Sequence, residues 1–339
     1  MLDDSKQYCE EVLPLVSRTF ALGIQALGDP MDMQICVSYL ICRILDALED
    51  TNKADTEKRS QLLQRAATEL CNIFQRNALI EDMKQLLPID LYEGEDIKLV
   101  HETAKVMEVF DSFPENVQAS IKTCVKNMAN GMAKTVAREE NHQIHGLIDY
   151  DDLAQYCYYV AGTVGELLTE VFAISRSSIT PNIQEELQKR EISFALALQL
   201  TNILKGVVDD YARGVRYLPN SLLQKYNIEL EHFLEQPNQP KYRDMVYDMI
   251  EYILPYMDRA IEYTLLIPEE ETDIRIFCAL PILFGLRTLK LAKSEPIALL
   301  EGTPLKITRK EVKDLHIQAD KAIDDNQALK KLFMLEREF

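Results

Sequence analysis

The sequence predicts an all-α protein, on three observations. Glycine and proline number only 11 and 13 in 339 residues, so long stretches run without a helix breaker. Apolar residues recur at spacings of three and four through most of the chain. No segment alternates apolar and polar side chains as a half-buried strand does, and no internal repeat or low-complexity linker interrupts the pattern. With 47% hydrophobic residues the chain can bury a large core. We expect one domain over residues 1–339, even if it is built as two helical halves sharing a core.

The elements follow in order. Residues 3–26 read as one helix, with Val12, Leu13, Val16 and Phe20 at helical spacing. Gly28-Asp29-Pro30 ends it and opens a second helix that runs to about Asp50. Residues 51–55 form a polar turn, and an amphipathic helix resumes from Thr56 to Phe74. Shorter helices surround Pro88, followed by helices near 99–111 and 114–140 that Ser-Phe-Pro separates. Residues 142–148 read as a loop. Asp151 to Phe172 is a helix in which Ala161, Gly162 and Gly165 let another helix approach closely. Thr180-Pro181 opens a tract carried to Ala212, with a break around Arg190 and Glu191. Arg213 to Pro219 is a loop, and the remainder is helical with breaks at 236–240, 268–272 and 302–304.

The formal charge of −18 argues against a nucleic-acid partner. Seven cysteines are scattered through apolar segments without CxxC spacing, so they read as reduced core thiols of a cytoplasmic protein and not as a disulfide frame or zinc site. No HExxH occurs, and His142 and His145 sit in a polar segment with a surface role. No run of eighteen apolar residues and no signal-peptide pattern is seen, so neither a leader nor a transmembrane anchor is expected.

Two acidic patches carry the chemistry. In SYLICRILDALEDT, residues 38–51, spacings of three and four place Asp46, Glu49 and Asp50 on one helical face, with Arg43 and Tyr39 one and two turns earlier. Carboxylates gathered at the end of an apolar run need a cation to offset repulsion and desolvation. Oxygen-only ligands favour Mg2+, which is shared with substrate phosphates. A solvated helix end is the plainer reading of this stretch alone. In QLTNILKGVVDDYARGVRYLP, residues 199–219, Asn202, Gly206 and Asp210 fall at i, i+4 and i+8, with Asp209 turned toward the same face. We expect the two patches to face each other across a central cavity, with metal ions and a diphosphate between them.

With both patches in hand, the sequence resembles the squalene and phytoene synthases. SRTFA (17–21), YLICRILDALED (39–50), YCYYVAGTVG (156–165), QLTNIL (199–204) and FCALP (277–281) occur in family order and spacing, with YCYYVAG and FCALP pointing to the squalene branch. The resemblance implies a class I isoprenoid synthase helical bundle around a central cavity, using an allylic diphosphate and Mg2+. Asp46, Glu49 and Asp50 match the first aspartate-rich motif, and Asn202, Asp209 and Asp210 match positions of the second. Ser17, Arg18 and Arg43 match diphosphate-contacting positions; Tyr39 and Tyr159 match the pocket tyrosines. Phe20, Val160, Val164, Gln199 and Phe277 are implied to line the prenyl chain. Tyr39, Arg43, Asp46, Asp50 and Tyr159 are thus the catalytic candidates.

The chain departs from the family at the second motif. Gly206 stands where an aspartate is usual, Lys205 where an arginine is usual, and Asp209 where a glutamate is usual. Glycine cannot ligate a metal, and lysine loses the bidentate fork that suits phosphate, although Lys205 still counts as a substrate-binding candidate. The segment KITRKEV at 306–312 resembles the basic stretch near the family's reductant region, and equally reads as a helix start capped by Thr308. The transmembrane anchor that follows the catalytic domain in eukaryotic squalene synthases is not expected.

The function expected first is Mg2+-dependent ionisation of one farnesyl-type diphosphate and transfer of its prenyl group to a diphosphate-free, aromatic acceptor. The second is head-to-head condensation of two farnesyl diphosphates to presqualene diphosphate, squalene or dehydrosqualene, with NADPH required only for squalene. A third, from a different class, is a catalytically silent lipid-binding protein. The expected partners are the prenyl diphosphate and a small-molecule acceptor, without nucleic acid; peripheral membrane contact is left open.

Overall fold

The computed structural model describes residues 2–17, 20–51, 54–139, 146–229, 233, 240–302 and 305–339. Among these residues the secondary structure is helical, without a strand; one parallel β-bridge joins Leu147 and Pro219. The chain gathers into two compact units, Met1–His142 with Glu166–Ser177, and Gln143–Gly165 with Ser178–Phe339.

The first unit contains α1 (Leu2–Val16), α2 (Phe20–Ala26), α3 (Met31–Asp50), α4 (Thr56–Glu69), α5 (Arg76–Leu86), α6 (Glu95–His101), α7 (Thr103–Asp111) and α8 (Glu115–Val136). Its hub is α3, which packs against α1, α2, α4, α6, α7 and α8 and fully buries Leu40, Ile41, Ile44, Leu45 and Leu48. That burial, at about 1.5–3 kcal/mol for each large apolar side chain, fixes the helix that carries the first acidic patch.

Two boundaries differ from the sequence expectation. The helix expected over 3–26 is broken after Val16, because the Ser17 hydroxyl accepts the Phe20 amide at 3.2 Å and a capping serine outcompetes helix continuation. The helix expected to reach Phe74 ends at Glu69. There Asn72 Oδ1 accepts the Phe74 amide at 3.0 Å, the local turn that asparagine favours.

The second unit contains α9 (Tyr150–Cys157), a π-turn (Tyr158–Gly162), the start of α10 (Thr163–Ser175), α11 (Pro181–Gln188), α12 (Glu191–Ala212), α13 (Asn220–Lys225), α14 (Pro240–Leu266), α15 (Thr272–Ser294), α16 (Pro296–Leu300), α17 (Arg309–Ala322) and α18 (Asn326–Arg337). Here α12 is the hub, packed on α9, the π-turn, α11, α14, α15 and α16. The Thr180 side chain caps α11 with Pro181 in its first turn, as Thr-Pro predicts. The small residues behave as expected: a Cβ on Gly165 would lie 2.4 Å from the Glu191 carbonyl oxygen, so only glycine lets these backbones meet. Tyr150–Ser175 and Glu191–Ala212 are long and apolar enough to cross a bilayer by composition, and 50% and 56% of their apolar windows are buried within the protein. A Thr308–Glu311 capping box opens α17, so KITRKEV serves as a helix start.

Candidate active site

The first acidic patch lies at the carboxyl end of α3. Arg43 Nη1 donates to Asp46 Oδ2 at 3.0 Å one turn along the helix. Its remaining edge meets Asp96 on α6, with Nε 3.3 Å from Oδ1 and Nη2 2.8 Å from Oδ2. Burial works against the Arg43 charge, but Asp46 and Asp96 outweigh it and hold the guanidinium more firmly protonated than usual. Asp46 is pushed up to about 7, first by burial and then by repulsion from Asp50 and Asp96, with Arg43 pulling the other way. Asp50, the last residue of α3, is exposed, whereas Glu49 is buried. Glu49 Oε1 has no hydrogen-bond partner. Burial, then repulsion from Asp50 and Asp46, lifts the Glu49 carboxyl well above its usual range.

Further up the same helix, the Tyr39 hydroxyl donates to the Val16 carbonyl at 3.4 Å, and its ring lies 6.2 Å from that of Phe20, centroid to centroid. Burial raises the Tyr39 phenol, while a hydrogen bond with Ser17 works against the rise. Ser17, Phe20, Tyr39, Arg43 and Asp46 therefore form one continuous line in the first unit. Arg18, expected beside them, lies outside the described residues.

The second patch occupies the carboxyl end of α12. Asn202, Lys205 and Asp209 are exposed, and Asp210 is buried, with its Oδ1 accepting from Arg213 Nη2 at 2.5 Å. The helix runs through Gly206 without a break. The nearest atom to a Cβ placed there would be Asp210 Oδ2 at 3.4 Å, so a Cβ fits. Gln199 is half-buried higher on α12, and Phe277 is buried on α15. Tyr159 and Val160 sit in the π-turn, with Val164 one residue into α10, all three half-buried. A π-turn widens a helix by one residue and recurs at functional sites.

Three features escaped the sequence reading. Asp96 gave no local signal, being 53 residues from Arg43. Arg59, on α4, donates to the Leu48 and Glu49 carbonyls and pairs with Glu139. Arg216 stacks on Tyr211, 3.6 Å from the ring centroid, and donates to the Tyr211 and Val215 carbonyls at 2.9 and 3.2 Å. Arg216 has no carboxylate partner among the described residues; its position in RGVRYLP beside an acidic helix end was the available clue.

Among the described residues no three His, Cys, Asp or Glu side chains converge into a ready-made ion site. Mg2+ needs none, because it keeps several waters and takes one or two carboxylates plus substrate phosphates. The oxygen-only donors Asp46 and Asp50, with the unpartnered Glu49 Oε1 behind them, fit that mode.

Comparison with known proteins agrees with this architecture. The squalene synthase of Cyberlindnera jadinii is 28% identical over 302 residues, covering 88% of this chain and 64% of the relative. Squalene synthase ERG9 of Saccharomyces cerevisiae is 28% identical over 287 residues, covering 84% and 61%. The chain thus spans less than two thirds of the length of these relatives. Among solved structures, the complex of TcSQS with the ligand E5700 superposes with a TM-score of 0.80 at 22% identity, covering 99% of this chain and 91% of that one. A dehydrosqualene synthase in complex with ligand gives 0.58 at 19% identity, covering 100% and 98%. The fold is that of the all-α class I isoprenoid synthases. The squalene/phytoene synthase family model matches residues 13–311, and the chain belongs to that family.

Proposed function

We propose that this protein is a prenyltransferase that ionises a farnesyl-type allylic diphosphate and joins the prenyl group head-to-head to a second one. The observation that carries this reading is the line Ser17–Phe20–Tyr39–Arg43–Asp46 ending at Asp50, a cation and carboxylates beside half-buried aromatic rings. The relatives' names favour condensation over the aromatic acceptor expected first from the sequence.

The residues divide the work. Asp46 and Asp50 would hold Mg2+, which would supply positive charge to a departing diphosphate. Arg43, held between Asp46 and Asp96, adds a cation beside them to offset the negative charge that develops. Tyr39 holds its proton, since burial raises its phenol, and so orients an anion without quenching an allylic cation. The Phe20 and Tyr39 rings offer π-faces to that cation. In the second unit Val160, Val164, Gln199 and Phe277 are the side chains assigned to the prenyl chain, and Tyr159 to proton removal. A nicotinamide is required only if the product is squalene.

Gly206 favours a second reading, transfer to an acceptor without a diphosphate, because the second motif lacks a carboxylate at a position with room for a Cβ. Incubation with farnesyl diphosphate and Mg2+, with and without NADPH, tests both through diphosphate release and mass analysis of lipids. Presqualene diphosphate, squalene or dehydrosqualene is expected. Prenylation of an added electron-rich aromatic with no condensed product would establish the second reading, and no diphosphate release at all would leave a binding protein.

A further inference from the structure

The carboxyl end of a helix is an unfavourable place for three acids, since unsatisfied carbonyls and the negative end of the helix dipole lie there. The last turn of α3 contains no basic residue. The compensating cation comes from the next helix. Arg59 on α4 is fully buried; its Nε donates to the Leu48 carbonyl at 3.0 Å and its Nη2 to the Glu49 carbonyl. Its Nη1 and Nη2 also grip Glu139, just past α8, at 2.6 and 3.1 Å. Beside it, Thr51 Oγ1 donates to the Ala47 carbonyl at 2.5 Å. Three successive carbonyls at the end of α3 are thus held by side-chain donors.

We propose that Arg59 is a positioning residue for the acids of α3. It fixes the backbone that carries Glu49 and Asp50, one turn beyond Asp46, and offsets part of their charge before a cation arrives. The inference rests on the proposed function, in which these acids take Mg2+ with diphosphate. Two carbonyls and a carboxylate engaged at once require the planar five-donor guanidinium, which lysine cannot imitate. Glu139 keeps the buried cation paired, without which it would be strongly destabilising.

The test uses Arg59→Lys and Glu139→Gln in the full chain. The first readout is the Mg2+ concentration giving half of the thermal stabilisation by Mg2+ with inorganic diphosphate; the second is diphosphate release against Mg2+. For Arg59→Lys the Mg2+ midpoint should rise about tenfold or more in both, the usual effect of removing a residue that orients metal ligands. Turnover at saturating Mg2+ should stay close to wild type. Glu139→Gln should move the midpoint in the same direction by less, and carries the test if Arg59→Lys does not fold. A lowered melting temperature with an unchanged Mg2+ midpoint would overturn the inference, leaving Arg59 a structural residue alone. Absence of any Mg2+ response in the wild type would overturn the proposed function and the inference together.

Discussion

Arg43 on α3 and Asp96 on α6 meet side-on, with Nε 3.3 Å from Oδ1 and Nη2 2.8 Å from Oδ2. Nη1 already holds Asp46 at 3.0 Å, so a phosphate that takes the Nε–Nη2 edge of this guanidinium displaces Asp96. Asp96 is the more exposed partner, 40% against 25% for Asp46, and is the one to leave. Partly exposed ion pairs are worth about 0.2–1 kcal/mol, so Asp96→Asn should tighten inorganic diphosphate binding by roughly 1.4- to fivefold. Inhibition of farnesyl diphosphate turnover by inorganic diphosphate measures this. Weaker binding in the variant would make Asp96 a metal ligand, and unchanged binding would show that Arg43 does not meet the anion.

Asp46 gives the metal-free protein a distinctive pH response. Its carboxyl is raised from 3.8 to about 7 by burial, so the folded state holds this proton more tightly than the unfolded chain. The resulting stability is fully present below the unfolded value and is lost as pH rises through about 7. In chelator, Asp46→Asn should therefore flatten the fall in melting temperature between about pH 5 and 8 relative to wild type. With Mg2+ and farnesyl diphosphate present, the same variant should lose most diphosphate release at unchanged helix content. Parallel melting curves for wild type and variant across that range would rule out the raised carboxyl.

Much of this was legible in the sequence because helices announce themselves locally. Gly28-Asp29-Pro30, Thr180-Pro181 and the break at Arg190 are signals read from adjacent residues, and the helices start and stop beside them. The acids of α3 were legible for the same reason, being spaced along one helix. The π-turn at Tyr158–Gly162 was not, because one extra residue per turn leaves the apolar pattern of YCYYVAG intact. Ser17 broke a continuous periodicity through a single hydroxyl. Arg59 and Asp96 were invisible for a different reason: their roles come from contacts to another helix, 10 or more residues away in sequence, and no period encodes a tertiary partner.

Two glycines of the second unit should respond to alanine with opposite signs. At Gly165 the added methyl would lie 2.4 Å from the Glu191 carbonyl oxygen and 3.1 Å from Ala195 Cβ. Neither neighbour is a flexible tip, and overpacking of this kind costs about 1–3 kcal/mol. At Gly206 the nearest atom would be Asp210 Oδ2 at 3.4 Å, an ordinary contact, and alanine improves a helix interior by up to about 1 kcal/mol. Urea midpoints of both variants check this. A shift in the same direction would mean that α12 does not pack as described.

Gly206→Asp tests what the missing carboxylate does. The new side chain would stand one turn before Asp210, whose Oδ1 is held by Arg213 at 2.5 Å and whose Oδ2 would lie 3.4 Å from the added Cβ. Like charges at this spacing cost a few tenths of a kcal/mol, so the metal-free variant should melt slightly lower than wild type. Mg2+ should reverse that difference, since paired carboxylates are a better oxygen site than one. The chemical consequence follows from stoichiometry. Condensation to a cyclopropyl diphosphate releases one diphosphate for every two farnesyl diphosphates, and conversion to hydrocarbon releases the other. If Gly206 weakens the second ionisation, wild type should accumulate the cyclopropyl diphosphate, and the variant should carry more of it to hydrocarbon at lower Mg2+. Diphosphate release and lipid products measured side by side decide the matter. A wild type that already releases both diphosphates, with the same Mg2+ requirement as the variant, would show that Asp209 and Asp210 suffice and that the glycine removes nothing the reaction needs.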